Sequence, residues 1–163
     1  MTDPLSGMHG RATRLQRVLS DLLSQAPELE AAAVVSFDGL PMASALPPSM
    51  NEDRVAAMSA ALLSLGERAA EGLGRGDLAQ VWIEGDEGTV FLVSADDEAV
   101  VVAVAARGAK AGLMLFEIKH AASRVADVLR VEPEPVMAPP LYEQLLDAAA
   151  TRAPDDLSGL PQD

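Results

Sequence analysis

The stretch AAAVVSFDGLPMAS, residues 31–44, decides the fold because it reads as two apolar strands joined by a tight turn. The turn is Asp38-Gly39, and glycine supplies the positive φ angle that a two-residue hairpin connection requires. Pro41 follows in the second strand and has no backbone N–H to donate to a neighbouring strand. The second strand is therefore predicted at an edge of its sheet.

Three further strands are predicted downstream of this hairpin, at Leu78 to Glu84, Thr89 to Ser94 and Ala99 to Arg107. The connections between them are short and polar, which favours antiparallel pairing of neighbours. Residues 90–93 and 100–104 are apolar at every position instead of alternating with polar residues. Both faces of the sheet are therefore expected to be covered by other elements.

Three segments have the periodicity of helices. The first begins near Arg11 and repeats apolar residues with the i, i+3, i+4, i+7 spacing of one buried stripe. The second runs from about residue 52 to 72 behind Asn51, a favourable N-cap, and the third ends near Arg130. The order α-β-β-α-β-β-β-α predicts an α/β (α+β) fold in which helices cover both faces of a five-stranded antiparallel sheet.

The second helix carries more apolar surface than one sheet face can cover. Its larger apolar side chains form one stripe, at Val55, Met58, Leu62, Leu65 and Ala69. A smooth face of small side chains contains Ala57, Ala61, Ser64 and Arg68. A smooth apolar helix face on a small domain is typical of self-association or partner docking. The alternative is an alanine-rich helix that reflects base composition alone.

Composition and charge exclude several classes of protein. The chain has 163 residues, 49% hydrophobic and 3% aromatic, and no Cys, so it has neither disulfides nor thiolate metal sites. The net charge of −13 predicts repulsion of nucleic acids and of anionic lipid. The longest apolar run, residues 99–106, is too short to span a bilayer, and the N-terminus has no signal-peptide pattern. We expect a cytoplasmic protein, with polar or peripheral placement only through partners.

The two ends of the chain are predicted to lie outside the folded domain. Residues 1–10 are expected to be disordered, and residues 131–163 form an acidic, Pro-rich flexible tail with 7 acids against 1 base. A short amphipathic helix is possible over residues 141–150. Its apolar cluster is Leu141, Tyr142, Leu145 and Leu146, which suits docking into an apolar groove of a partner. The alternative is a solvating extension without a partner.

No catalytic or cofactor-binding pattern is found. The glycine-rich segment 72–76 lacks the Lys-Ser/Thr pair of a phosphate loop and follows a helix, so it is interpreted as a helix C-cap and loop. His9 and His120 have no partners at metal-ligand spacing. Asp96-Asp97-Glu98 is interpreted as a solvated turn instead of a cation site. We therefore predict no enzyme activity, no metal and no cofactor.

The order of elements and three local strings resemble the Roadblock (dynein light chain 7) family, over about residues 11–130. The strings are AVVSFDGLPMAS at 33–44, AALLSLGER at 60–68, and Gly112-Leu113 at the start of the last helix. The resemblance implies a Roadblock/profilin-like fold and a homodimer in which the second helices lie side by side and the third strands join the two sheets. Bacterial members of the MglB type partner Ras-like GTPases through the surface that carries the paired second helices.

The resemblance therefore implies a non-catalytic homodimeric regulator of a small Ras-like GTPase, which activates hydrolysis or otherwise modulates its partner. Dimer or partner contacts are expected at Arg54, Ala57, Met58, Ala61, Leu62, Ser64, Leu65, Arg68, Gln80 and Trp82. Arg54, Arg68 and Arg75 are candidates for an arginine finger, or are ordinary surface arginines. One alternative function is a passive dimeric scaffold for a motor, kinase or polarity complex. Another is a small-ligand sensor.

Overall fold

The computed structural model describes residues 4–131 and Leu145, with side chains from Gly10 onward. Contacts divide the chain into two units, Met1–Val131 and Glu132–Asp163. The elements are α1 (Pro4–Gln25), β1 (Leu29–Ser36), β2 (Pro41–Ala45), α2 (Glu52–Gly72), β3 (Gln80–Gly85), β4 (Gly88–Ala95), β5 (Ala99–Ala106) and α3 (Ala111–Arg130). This is the predicted order of three helices and five strands, so the fold class is confirmed.

The five strands form one antiparallel sheet in the order β2-β1-β5-β4-β3. β2 lies at an edge, as the absence of an N–H at Pro41 predicted, and β3 forms the opposite edge. Gly39, in the turn between β1 and β2, has a φ angle of 83°, which is the conformation that the Asp-Gly pair was expected to supply. The third predicted strand therefore has only one neighbour, β4, in the chain as described.

Two apolar clusters lie on the two faces of the sheet. Val34 and Phe91 point into the cluster beneath α1 and α3, where Ile118 is fully buried. Val35 and Leu92, their neighbours in sequence, point into the cluster beneath α2. Because successive side chains of a strand face opposite ways, a strand that is apolar at every position supplies both clusters.

An ion pair fixes the last turn of α3 against the turn between β4 and β5. The Arg130 guanidinium donates from Nε and Nη2 to the two carboxylate oxygens of Asp96, at 2.7 and 2.9 Å. The hydrogen bond that Arg130 donates to Asp96, and then the negative charge of Asp96, raise the pKa of Arg130 above its usual value. Asp96 itself has a φ angle of 53°, a conformation that aspartate tolerates better than most residues. Asp96, the first residue of the acidic turn, thus pairs the turn with the last residue of α3.

The ends of the chain differ in part from the sequence prediction. α1 begins at Pro4 instead of near Arg11, so residues 4–10 are helical where disorder was expected. Proline is favourable in the first turn of a helix because its missing N–H has no partner there. The third helix ends at Arg130 as expected. In the tail, Leu145 is helical with its side chain exposed, and residues 132–144 and 146–163, with the predicted docking residues Leu141, Tyr142 and Leu146, lie outside the described residues.

Candidate interaction surface on the second helix and third strand

The ends of α2 follow from its sequence. Asn51 caps the helix, because its side-chain oxygen accepts a hydrogen bond from the backbone N–H of Arg54 at 2.9 Å. Two acids, Glu52 and Asp53, occupy the first turn, where the helix dipole favours negative charge. The helix ends at Gly72, and Gly74 has a φ angle of 68° in the loop that follows. The glycine-rich segment is a helix cap and loop, as the sequence predicted.

Two small side chains and one leucine of α2 are buried against the sheet. Ala56, Ser59 and Leu63 are buried, and the Ser59 hydroxyl donates to the carbonyl oxygen of Val55 at 2.7 Å, which satisfies its polar group within the helix. Toward its C-terminal end the helix approaches β3 closely at Gly66. A Cβ atom there would lie 3.1 Å from Cγ2 of Val81 in β3 and 2.9 Å from Cδ2 of Leu78, just before the strand, so glycine allows this close packing.

The larger apolar stripe of α2 does not face the sheet. Met58 is 50% exposed and Leu65 is 63% exposed. Only Val55 and Leu62 of that stripe pack partly against the cluster beneath the helix. The members of the predicted smooth face are all solvent-exposed, at Ala57, Ala61, Ser64 and Arg68, and their part in an interface stays a prediction. In the isolated chain α2 therefore presents a broad surface of alanine, methionine and leucine to solvent.

The structure does not place Gln80 and Trp82 beside this surface. The Trp82 ring packs at 5.4 Å between centroids on Phe91, which belongs to the cluster beneath α1 and α3. Gln80 is two residues away and therefore faces the same side, where its Oε1 atom is buried with no hydrogen-bond partner among the described residues. Gln80 and Trp82 therefore lie on the face of the sheet opposite α2, and their role in dimer or partner contacts stays a prediction.

Ile83 is the β3 residue that sequence reasoning missed. It pairs with Val90 across the sheet, and Val90 packs in the cluster beneath α2, so Ile83 faces the α2 side. Its side chain is 39% exposed at the unpaired edge of the sheet. Alternation along β3 predicts that Ile83 and Trp82 face opposite sides of the sheet. Which of the two faces α2 cannot be assigned until the direction of the Phe91 side chain is known.

The arginines of this region are accessible. Arg54 and Arg68 are exposed on α2, and Arg75 is exposed in the loop that follows. None of the three forms an ion pair with a described carboxylate. Within residues 4–131 and at Leu145, no group of three or more His, Asp or Glu side chains is arranged to hold a metal ion. No helix in the same part of the chain is long and apolar enough to cross a lipid bilayer.

Comparison with known proteins gives a family match and a set of similar structures. The family model described as the Roadblock/LC7 domain matches residues 15–105. An uncharacterized protein of Methanocaldococcus jannaschii is 35% identical over 111 residues, which cover 68% of this chain and 96% of the relative.

Two solved structures extend the comparison. A Roadblock/LC7 domain from Streptomyces avermitilis is 27% identical with a TM-score of 0.67, and the match covers 71% of this chain and 98% of that one. MglB from Myxococcus xanthus is 17% identical with a TM-score of 0.69, over 80% of this chain and 93% of that one. At that level of identity the likeness to MglB concerns the fold.

Proposed function

The chain belongs to the Roadblock/LC7 family, and from that premise we propose that it is a non-catalytic, homodimeric regulator of a small Ras-like GTPase. The observation that carries this proposal is the exposed surface formed by the outer face of α2. Family membership supports this class of partner, and the surface supplies a place for two copies and a partner to meet.

The dimer is supported by the apolar content of that surface and by the edge of the sheet. Met58, Leu65 and Ile83 are exposed on the α2 side of the molecule. β3 is an edge strand, and unpaired backbone groups at an edge favour pairing with another strand. A second copy related by a two-fold axis would cover the apolar side chains and pair the two edges at once.

The docking of a GTPase is supported by the free arginines of the same region. The guanidinium groups of Arg54, Arg68 and Arg75 have no described acidic partner, so they can bind carboxylates or phosphates without breaking an ion pair. An arginine that reaches the nucleotide of a bound GTPase would stabilise the charge that develops during phosphoryl transfer. An arginine that remains at the rim would contribute to orientation and association rate.

The test is capture of Ras-like GTPases from the source organism by the purified full chain, followed by hydrolysis and nucleotide-exchange assays. We expect retention to differ between GTPase loaded with a GTP analogue and GTPase loaded with GDP, and the rate of hydrolysis or exchange to change. Arg68→Ala should weaken that effect, while Arg107→Ala, an exposed arginine after β5, serves as the matched control.

Two results of this test would contradict a role as a GTPase regulator. If no Ras-like GTPase is retained in either nucleotide state, the proposed function is wrong. If a GTPase or another protein is retained with no dependence on nucleotide and no change in either rate, the chain acts as a passive dimeric scaffold.

A further inference from the structure

The charges of this chain are segregated between its layers. α1 and α3 together contain six bases and three acids, so the layer of two helices is net positive. Residues 26–110, which include α2 and all five strands, contain five bases and fourteen acids. The net charge of −13 does not indicate this uneven distribution, because α1 and α3 are distant in sequence and come together only when the chain folds.

Part of the positive charge lies in a groove between α1 and α3. Arg14 and Arg17 of α1 and Arg124 of α3 line this groove together with two valines and one acid, Asp127. Arg124 is paired with Asp21 at 2.9 Å. No described carboxylate lies within ion-pair distance of Arg14 or Arg17, and both are exposed. Within the described part of the chain, both guanidinium groups can therefore bind an anion without breaking an ion pair.

Exposed apolar side chains accompany the charge on the same layer. Phe116 is 66% exposed and Leu113 is 51% exposed, three residues apart on α3. Phe116 lies two residues from the fully buried Ile118, which places it on the opposite side of the helix, pointing away from the sheet. The only two lysines of the chain, Lys110 and Lys119, flank this pair in sequence and are exposed.

We propose that this outer face of α1 and α3 docks on an anionic lipid surface. Arg14, Arg17 and the two lysines would contact headgroup phosphates, and Phe116 and Leu113 would enter the boundary between headgroups and acyl chains. Basic groups interspersed with outward-pointing aromatic and aliphatic side chains have the chemistry of such interfacial contacts. The contact is peripheral and requires no spanning segment.

A lipid surface fits these observations better than an acidic peptide does. A peptide would use the groove between the helices, but the exposed apolar side chains of Leu113 and Phe116 on α3 do not line that groove. A planar surface can meet the arginines of the groove and the outward Phe116 together. The net negative charge does not prevent this, because at physiological salt charges are screened beyond about 8 Å, and α1 and α3 contain only three of the 25 acidic residues of the chain.

The proposal is tested by flotation of the full chain with vesicles. One set contains phosphatidylcholine alone, and the other contains equal amounts of phosphatidylcholine and phosphatidylglycerol. We expect the chain to float with the anionic vesicles only. The double variant Arg14→Gln, Arg17→Gln should lower the partition coefficient about 30-fold, because each basic residue near an anionic surface contributes about a fivefold factor. Phe116→Ala should lower it about tenfold through lost apolar burial.

Matched controls separate this face from the rest of the molecule. The double variant Arg54→Gln, Arg68→Gln removes the same charge from α2, and Leu40→Ala removes an exposed leucine from the turn between β1 and β2. Both should bind as the parent chain does. Arg14→Lys with Arg17→Lys keeps the charge and should also keep binding, and each variant is checked for an unchanged melting temperature.

Three results would overturn the proposal. The first is no partitioning, or equal partitioning onto neutral and anionic vesicles. The second is a loss of binding in the α2 variant as large as in the α1 variant. The third is binding of soluble poly-glutamate that depends on Arg14 and Arg17 when vesicles are not bound, which would assign the face to an acidic peptide. None of these results depends on the GTPase partnership, which is assayed separately.

Discussion

Gly88 lies at a position where the backbone leaves no room for a side chain. Its φ angle is 154°, and a Cβ atom would collide with the carbonyl oxygen of Ala105 on the neighbouring strand. We expect Gly88→Ala to lower the free energy of unfolding by about 2 to 3 kcal/mol, because the backbone must shift or remain strained. Urea denaturation followed by circular dichroism measures this change.

The matched control is Gly112→Ala in the first turn of α3, where a Cβ atom would meet nothing within 4 Å. Alanine is a better helix former than glycine, so this variant should be neutral or more stable by up to about 1 kcal/mol. Equal stability of the two variants would contradict the close packing of β4 on β5 at Gly88.

Asn51 determines the start of α2. Asn51→Ala should cost about 1 kcal/mol of stability, because it leaves the backbone N–H of Arg54 without its partner. Asn51→Ser retains a capping oxygen and should cost much less. If the two substitutions shift the urea midpoint equally, the cap does not act through this hydrogen bond.

At the level of α2, substitutions on its exposed side test assembly, and substitutions on its buried side test the stability of the fold. Ala61 is exposed, so Ala61→Glu should leave the fold intact and, in the proposed dimer, shift the mass in sedimentation toward the 17.0 kDa of a single chain. Leu63 is only 3% exposed, so Leu63→Glu should unfold the domain, because it buries a charge without a partner.

The control for the assembly result is Ala12→Glu, the same change at an exposed position of α1. It should alter neither fold nor mass. A parent chain that sediments only as a single copy at micromolar concentration would rule out the dimer, and so would an Ala61→Glu variant that keeps the larger mass.

At the scale of the whole molecule, the division of contacts between Val131 and Glu132 bears on the acidic tail. We expect a chain that ends at Arg130 to keep its melting temperature and its assembly, because α3 is complete at that residue. Binding to the cognate partner should change, since the tail carries an acidic segment with an apolar cluster.

Leu145→Glu in the full chain tests the apolar part of that docking segment, and Leu145 is exposed, so the substitution should not affect folding. Partner binding that is unchanged by both the truncation and Leu145→Glu would show that the tail does not dock. A lower melting temperature on truncation would move the domain boundary beyond Arg130.

Features that depend on neighbouring residues along the chain could be predicted from the sequence alone. Asp38-Gly39 predicted the hairpin, Pro41 predicted an edge strand, and Asn51 predicted the start of α2, because each acts through its own backbone geometry or hydrogen bonds. The order of elements followed from apolar periodicity in the same way. The start of α1 was missed, although Pro4 is suited to a first helical turn.

Which faces of α2, β3, α1 and α3 pack together depends on the tertiary fold and could not be predicted from the sequence. α2 is apolar around most of its circumference, so periodicity could not select the buried side, and the structure buries Ala56, Ser59 and Leu63 while Met58 and Leu65 remain exposed. The sequence of β3 does not indicate on which face of the sheet Trp82 lies, and the contact between Trp82 and Phe91 in the structure assigns that face. The basic face of α1 and α3 likewise exists only after two helices distant in sequence pack side by side, because burial and electrostatic potential depend on distance in space, whereas a sequence records only order.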